Sequence, residues 1–96
     1  MQQKEKNNKK QVCVDRLDQE ILNKVFNERN NQYLKWGDQH HTDRQWEKIF
    51  NEEYAEALCK IECGYNSKET IEELVQSAAV ICAWIRDVVL KQGGKK

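Results

Sequence analysis

Three acidic residues and one amide lie within or beside the apolar stripes of two predicted helices. Glu53 and Glu56 are three residues apart, and Glu73 and Gln76 repeat that spacing further along the chain. At about 100° per residue, Glu53 falls within an apolar stripe, and Glu73 is in line with apolar residues that follow it. Burying an ionised carboxylate without a partner is very costly. Since a hard cation such as Mg²⁺ binds oxygen ligands, the pattern suggests a divalent-cation site.

Lys60 offers a different partner for the same carboxylates. It follows Glu53 by seven residues and Glu56 by four, so on a helix it lies on their side and can pair with either. The spacing therefore leaves two interpretations open, a cation site and a set of internal salt bridges.

Polar residues also replace apolar ones toward the end of the first predicted helix, where Glu28 and Gln32 continue the stripe of Val25. Basic side chains beside carboxylates suit an anionic, phosphate-bearing ligand, and a tryptophan there could stack on a base. A solvent-exposed helix end, with the tryptophan in the core, would give the same pattern. The side chains concerned are Arg29, Lys35 and Trp36.

The elements that must position these residues follow from the apolar spacing and the four glycines. Helices are predicted over 15–35, from Thr42 or Asp43 to 63, and from Asn66 or Thr70 to 92. The chain has no proline, and no segment alternates with period two, so the predicted class is all-α.

Charge and composition set the domain limits and exclude several classes. The 96 residues carry 16 basic and 16 acidic side chains, but 12–90 holds 9 basic against 15 acidic ones. An acidic centre argues against a nucleic-acid-binding face. The lysine-rich segment 1–12 is predicted to be disordered, 13–92 to form one domain, and 93–96 to be a flexible tail. No apolar run reaches the ~20 residues of a membrane span, and no secretory leader is visible, so we expect a cytoplasmic protein.

The third predicted helix is apolar almost all round, from Leu74 to Ile85. A three-helix hairpin would leave one side of such a helix in water. We therefore expect a three-helix protomer that forms a helical-bundle homo-oligomer.

Four cysteines could indicate disulfides, but without an export signal reduced thiols are the better interpretation. Cys59 and Cys63 have helical i, i+4 spacing, and His40 and His41 lie upstream. A zinc site from these four is conceivable, although no paired CxxC pattern is present.

Taken together, the motifs resemble the MazG-like nucleotide pyrophosphohydrolases of the all-α NTP pyrophosphatase superfamily, in their short phage and bacterial branch. That superfamily carries an ExxE pair on one helix and an ExxD pair on the next. Glu53 and Glu56 match the first pair; Glu73 begins the second, which ends here in Gln76 instead of Asp. The resemblance covers about 20–90. It includes Glu28, Arg29, Gln32, Lys35, Trp36, Gly37, Gln39, His41 and Trp46, and the run from Gln76 to Trp84.

The resemblance implies hydrolysis of a nucleoside triphosphate to the monophosphate and pyrophosphate, by a dimer or dimer of dimers. It implies Mg²⁺, with Mn²⁺ also suitable, held by Glu53, Glu56 and Glu73, with Gln76 as a weaker ligand. Glu52 or Glu72 would deprotonate the attacking water or bind a second metal. The implied substrate-binding residues are Arg29, Lys35 and Lys60 for the phosphates, and Gln32, Trp36, Gln39 and His41 for the base and sugar.

A second class of function is a non-catalytic helical oligomer, such as a small phage or mobile-element regulator. In that case the acidic residues would form salt bridges, and the lysine-rich ends would contact a partner or nucleic acid.

Overall fold

The computed structural model describes residues 13–64 and 66–93, and these form three α-helices and no strand. The helices are α1 (Arg16–Trp36), α2 (Asp43–Glu62) and α3 (Ser67–Gly93). The all-α prediction is thus confirmed. The predicted tails at 1–12 and 94–96 lie outside the described residues. Gly93, which was assigned to the C-terminal tail, is instead the last residue of α3.

Capping boxes fix the starts of the first two helices. Asp15 Oδ1 accepts a 2.9 Å hydrogen bond from the backbone N–H of Asp18, whose carboxylate accepts one from the Asp15 N–H. Thr42 and Gln45 exchange the same pair of bonds at the start of α2. Of the two predicted caps for α2, Thr42 is therefore the residue that satisfies the free N–H groups of the first turn.

Asn66 starts α3, because its Oδ1 accepts a 2.9 Å hydrogen bond from the backbone N–H of Glu69. Thr70, the alternative start, lies inside the helix. Glycines follow the other two helices, with φ +74° at Gly37 and φ +77° at Gly64. Side chains with a Cβ disfavour this left-handed region, so these two glycines allow the chain to turn.

Helix α3 is the central element and packs against both α1 and α2. Its packing buries only a small apolar core, and several of the most buried side chains are polar. The buried apolar residues are Trp46, Ala57, Ala79 and Val80, and the buried polar ones are Gln32, Ser77 and Asp87.

Large apolar side chains on α1 and α3 remain exposed in the single chain. Phe26 of α1 is 72% exposed, and Ile85 and Val89 of α3 are more than half exposed. The apolar surface that led us to expect an oligomer is thus present and uncovered. Of the helices in the part of the chain that the structure describes, none is long and apolar enough to cross a membrane.

Candidate functional site

Three carboxylates converge where α2 and α3 face each other. Glu53 and Glu56 come from α2 and Glu73 from α3, and each offers an oxygen such that all three lie within 4.8 Å of one another. The i, i+3 spacing places the first two on one side of α2, and the packing of α3 adds the third. Three of the four predicted metal ligands are thus neighbours.

Two oxygens of this cluster are buried without a partner. Among the described residues, Glu53 Oε1 and Glu73 Oε1 have no hydrogen bond. Lys60 is close enough to lower the pKa of Glu73, so it balances part of the charge. Hydrogen bonds within the described part of the chain therefore do not satisfy these two oxygens. Oxygens in this state fit a hard cation, which would supply the missing interaction.

Burial and mutual repulsion raise the pKa values of Glu53 and Glu73. Burial is the largest cause of the raised pKa of Glu53, followed by the charges of Glu56, Glu73 and Glu28. Burial also raises the pKa of Glu73, again followed by the charge of Glu56. The fold therefore holds these groups where their ionised forms repel each other, and bound positive charge would relieve that repulsion.

Glu28 of α1 is a carboxylate that sequence reasoning did not count as part of the site. Its charge contributes to the raised pKa of Glu53, and its Oε2 accepts a 3.4 Å hydrogen bond from Nε2 of the buried Gln32. Glu28 continues the apolar stripe of α1 past Val25, and this is the sequence signal that points to it. Gln76, the predicted fourth ligand, is partly buried and borders a groove of α1 that includes Glu28 and Lys35.

A cavity of about 310 Å³ adjoins the cluster, and Glu53 belongs to both. Residues of α1, α2, α3 and the loop before α2 line it. Four of the predicted substrate-binding residues line this cavity: Arg29, Gln32, Trp36 and Gln39. The rest of its lining comprises Gly37, Asp38, Trp46, Ile49, Val80, Ala83 and Arg86.

Trp36 is 56% exposed at the edge of this cavity, so the interpretation that it fills the core is wrong. The ammonium of Lys35 lies 4.9 Å from the centre of its ring. Sequence reasoning missed Arg86, which also lines the cavity and donates a 2.8 Å hydrogen bond to Asp38. These two residues are 48 positions apart, and only the folded chain pairs them.

Asp87 is a second residue that the sequence did not single out, and it holds the loop before α2 against α3. It is 1% exposed and accepts hydrogen bonds from Trp46 Nε1 at 2.8 Å and from the backbone N–H of His41 at 2.9 Å. Nδ1 of His40 lies 2.9 Å from Oδ1, and Lys91 is also close. These donors hold the pKa of Asp87 far below its usual range, and the hydrogen bond from the Trp46 indole is the largest cause.

The two histidines are therefore engaged at the N-terminal end of α2, away from the cysteines. Cys59 and Cys63 lie at the other end of this 20-residue helix, which is about 30 Å long. The conceivable zinc site of two histidines and two cysteines is thus not formed. All four cysteines of the chain are free and exposed.

His41, a predicted substrate-binding residue, lies behind the cavity wall. Its Nε2 is 2.8 Å from Oε1 of Gln39, and its ring stands edge-on to that of Trp46, with centroids 4.7 Å apart. His41 therefore positions Gln39, which does line the cavity.

Glu52 and Glu72, the predicted catalytic residues, are exposed and lie outside the three-carboxylate cluster. Glu52 lies beside Lys48 on another face of α2. Glu72 borders a groove that also includes Lys24 of α1. Their catalytic role stays a prediction.

The arrangement can hold a hard cation next to a cavity that has arginines and a tryptophan in its walls, which suits an anionic ligand with an aromatic part. No protein-family model matches the chain, and comparisons with curated proteins and with solved structures also found no match.

Proposed function

We propose that this protein is a metal-dependent nucleoside triphosphate pyrophosphohydrolase, which releases pyrophosphate and leaves the monophosphate. The observation that carries the proposal is Glu53, whose carboxylate belongs both to the three-carboxylate cluster and to the wall of the 310 Å³ cavity. A ligand in the cavity would thus place its charged groups beside the cluster. The sequence motifs that led us to expect this activity point to the same residues.

The unpartnered oxygens of Glu53 and Glu73 support a cation in this cluster. Glu53, Glu56 and Glu73 would hold Mg²⁺ or Mn²⁺, and Gln76 is the weaker ligand that the resemblance adds. The bound cation would draw charge from phosphate oxygens and activate water.

The protein's own residues would bind and orient the nucleotide. Arg29 and Arg86 offer guanidinium groups to phosphate oxygens, with Lys35 and Lys60 as additional positive charges. Trp36, exposed at the cavity edge, offers a ring for stacking on the base. Gln32 and Gln39 can hydrogen-bond to the base or sugar. Glu52 and Glu72 remain candidates to accept the proton of the attacking water.

The test is pyrophosphate release from a panel of ribo- and deoxyribonucleoside triphosphates, with Mg²⁺, with Mn²⁺ and with chelator. We expect metal-dependent release from one or a few nucleotides, abolished in Glu53→Gln and retained in Glu62→Gln, a substitution on an exposed glutamate of the same helix. Absence of release from every nucleotide, together with no metal-induced shift in melting, would overturn the proposal and favour a non-catalytic helical oligomer.

The exposed apolar side chains support assembly of this chain with itself, as a dimer or dimer of dimers. Ile81, Trp84, Ile85, Val88 and Val89 line an apolar groove along α3, and two of them, Ile85 and Val89, are more than half exposed. Sedimentation of the wild type should give at least twice the protomer mass, and Ile85→Lys should reduce it. A wild-type monomer at micromolar concentration would contradict this.

With four free thiols, the expected location is the reducing cytoplasm.

A further inference from the structure

The C-terminal end of α2 carries two thiols that face each other. The sulfur atoms of Cys59 and Cys63 are 3.7 Å apart, and both residues are exposed. They are one helical turn apart, so the helix itself places them on the same side. The other two cysteines, Cys13 and Cys82, have no such neighbour among the described residues.

We propose that Cys59 and Cys63 form a binding site for a thiophilic divalent cation, with Zn²⁺ as the best fit. A tetrahedral zinc ion with Zn–S bonds of about 2.3 Å has its sulfur ligands about 3.8 Å apart. The observed separation of 3.7 Å matches this value, so two thiolates can bind one ion without rearrangement of the helix. Among the described residues no third histidine, cysteine or carboxylate joins the two thiols, so water or a small anion would complete the coordination at these exposed residues.

The C-terminal end of α2 fixes the backbone around Cys59 and Cys63. Cys63 is the C-cap of α2, and its N–H donates a 2.9 Å hydrogen bond to the carbonyl of Cys59. A cation held by both sulfurs would therefore close the last turn of α2, just before the turn at Gly64.

The charge of the neighbouring thiol also favours a cation here. The pKa of Cys63 is raised, first by the thiol–thiol hydrogen bond with Cys59 and then by the charge of that group. Two adjacent thiolates are thus unfavourable without a positive charge between them, and binding of a metal releases their protons.

This site differs in chemistry from the carboxylate cluster. In the described part of the chain, the group of potential ligands around Glu53 consists of three carboxylates and includes neither sulfur. Carboxylates select hard cations, whereas thiolates select Zn²⁺ and softer ions. The proposed thiol site therefore does not depend on the proposed pyrophosphohydrolase activity.

The test uses Cd²⁺ as a spectroscopic probe, because thiolate-to-cadmium charge transfer absorbs in the ultraviolet and carboxylates give no such band. Reduced full-length protein is titrated with Cd²⁺ in the presence of excess Mg²⁺ and a phosphine reductant. We expect a saturable band that is lost in Cys59→Ser and in Cys63→Ser. It should be retained in the control variants Cys13→Ser and Cys82→Ser, and Zn²⁺ should displace it.

Circular dichroism shows whether each variant is folded. We expect the cysteine variants to fold, because the substituted residues are exposed. The Glu53→Gln variant should keep the band, which separates this site from the carboxylate cluster. A band of equal strength in Cys59→Ser, or one lost equally in Cys82→Ser, would overturn the proposal.

Discussion

Trp46 Nε1 donates a 2.8 Å hydrogen bond to Oδ2 of Asp87, and neither side chain is more than 2% exposed. A buried carboxylate is tolerated only when its oxygens are well hydrogen-bonded. Here the donors come from α2 and from the loop before it, so Asp87 joins three parts of the fold. Since that loop carries Asp38 and Gln39, one wall of the cavity depends on this buried group.

Asp87→Asn should lower the melting temperature by at least about 5 °C. An amide keeps the shape but loses the charge, and its NH₂ group faces donors instead of accepting from them. Thermal unfolding followed by circular dichroism measures the effect. The matched control is Asp43→Asn, because Asp43 also accepts a hydrogen bond from a tryptophan of another helix, Trp84, but at an exposed position. Equal losses in both variants would show that burial is not the cause.

The ion pair of His40 with Asp87 should make stability depend on pH. Hydrogen bonding to Asp87, opposed by some desolvation, and the charge of Asp38 together raise the pKa of His40 above 6.5. A group whose folded-state pKa is raised stabilises the fold fully below its unfolded pKa, and this contribution is lost as pH rises through the folded value. The melting temperature should therefore fall from about pH 6 toward pH 8.

His40→Asn tests this assignment, because it removes the titrating ring and leaves Asp38 and Asp87 in place. The decline in melting temperature between pH 6 and pH 8 should become shallower in this variant. An unchanged decline would assign the effect to another group.

The sequence predicted the helices well, because each has a strong apolar period and a capping residue at its start. The carboxylate cluster was also predictable. Glu53 and Glu73 interrupt apolar stripes, and such interruptions are visible without any knowledge of packing. Glu28 was visible for the same reason, but nothing in the sequence alone showed how close α1 comes to Glu53.

Contacts between distant parts of the chain could not be predicted in the same way. Arg86 and Asp38 look like ordinary surface residues of a helix and a loop, and the spacing places Asp87 beside an apolar stripe without showing which donors meet it. Each acquires its partner across more than 40 residues. Helical periodicity describes which side of an element a residue occupies, but it does not identify what packs against that side.

Relative to the wild type, Glu53→Gln should raise the melting temperature of the metal-free protein and abolish the stabilisation by Mg²⁺. In the metal-free protein, the raised pKa values of Glu53 and Glu73 mean that stability falls as pH rises above about 4.5. Removal of one charge should therefore raise the metal-free melting temperature at pH 7, by roughly 2–5 °C. Addition of Mg²⁺ should stabilise the wild type and leave the variant unchanged.

Glu62→Gln serves as the control for this experiment, since it removes one negative charge from an exposed position of the same helix. It should leave both the metal-free melting temperature and the Mg²⁺ response close to wild type. A metal-free Glu53→Gln that melts below the wild type would contradict mutual repulsion within the cluster.

The Arg86–Asp38 ion pair allows a test of charge in the cavity that separates electrostatics from structure. Arg86→Gln removes a positive charge from the wall, and it should weaken binding of a nucleoside triphosphate about tenfold. Asp38→Asn removes the neighbouring negative charge, so the guanidinium is attracted less to the loop and more to phosphate, and binding should tighten instead. Both substitutions remove the ion pair between these two side chains. If the pair served only to hold the loop, both variants would weaken binding. Quenching of tryptophan fluorescence by a non-hydrolysable triphosphate, with Arg44→Gln as an exposed control, measures the sign of each change.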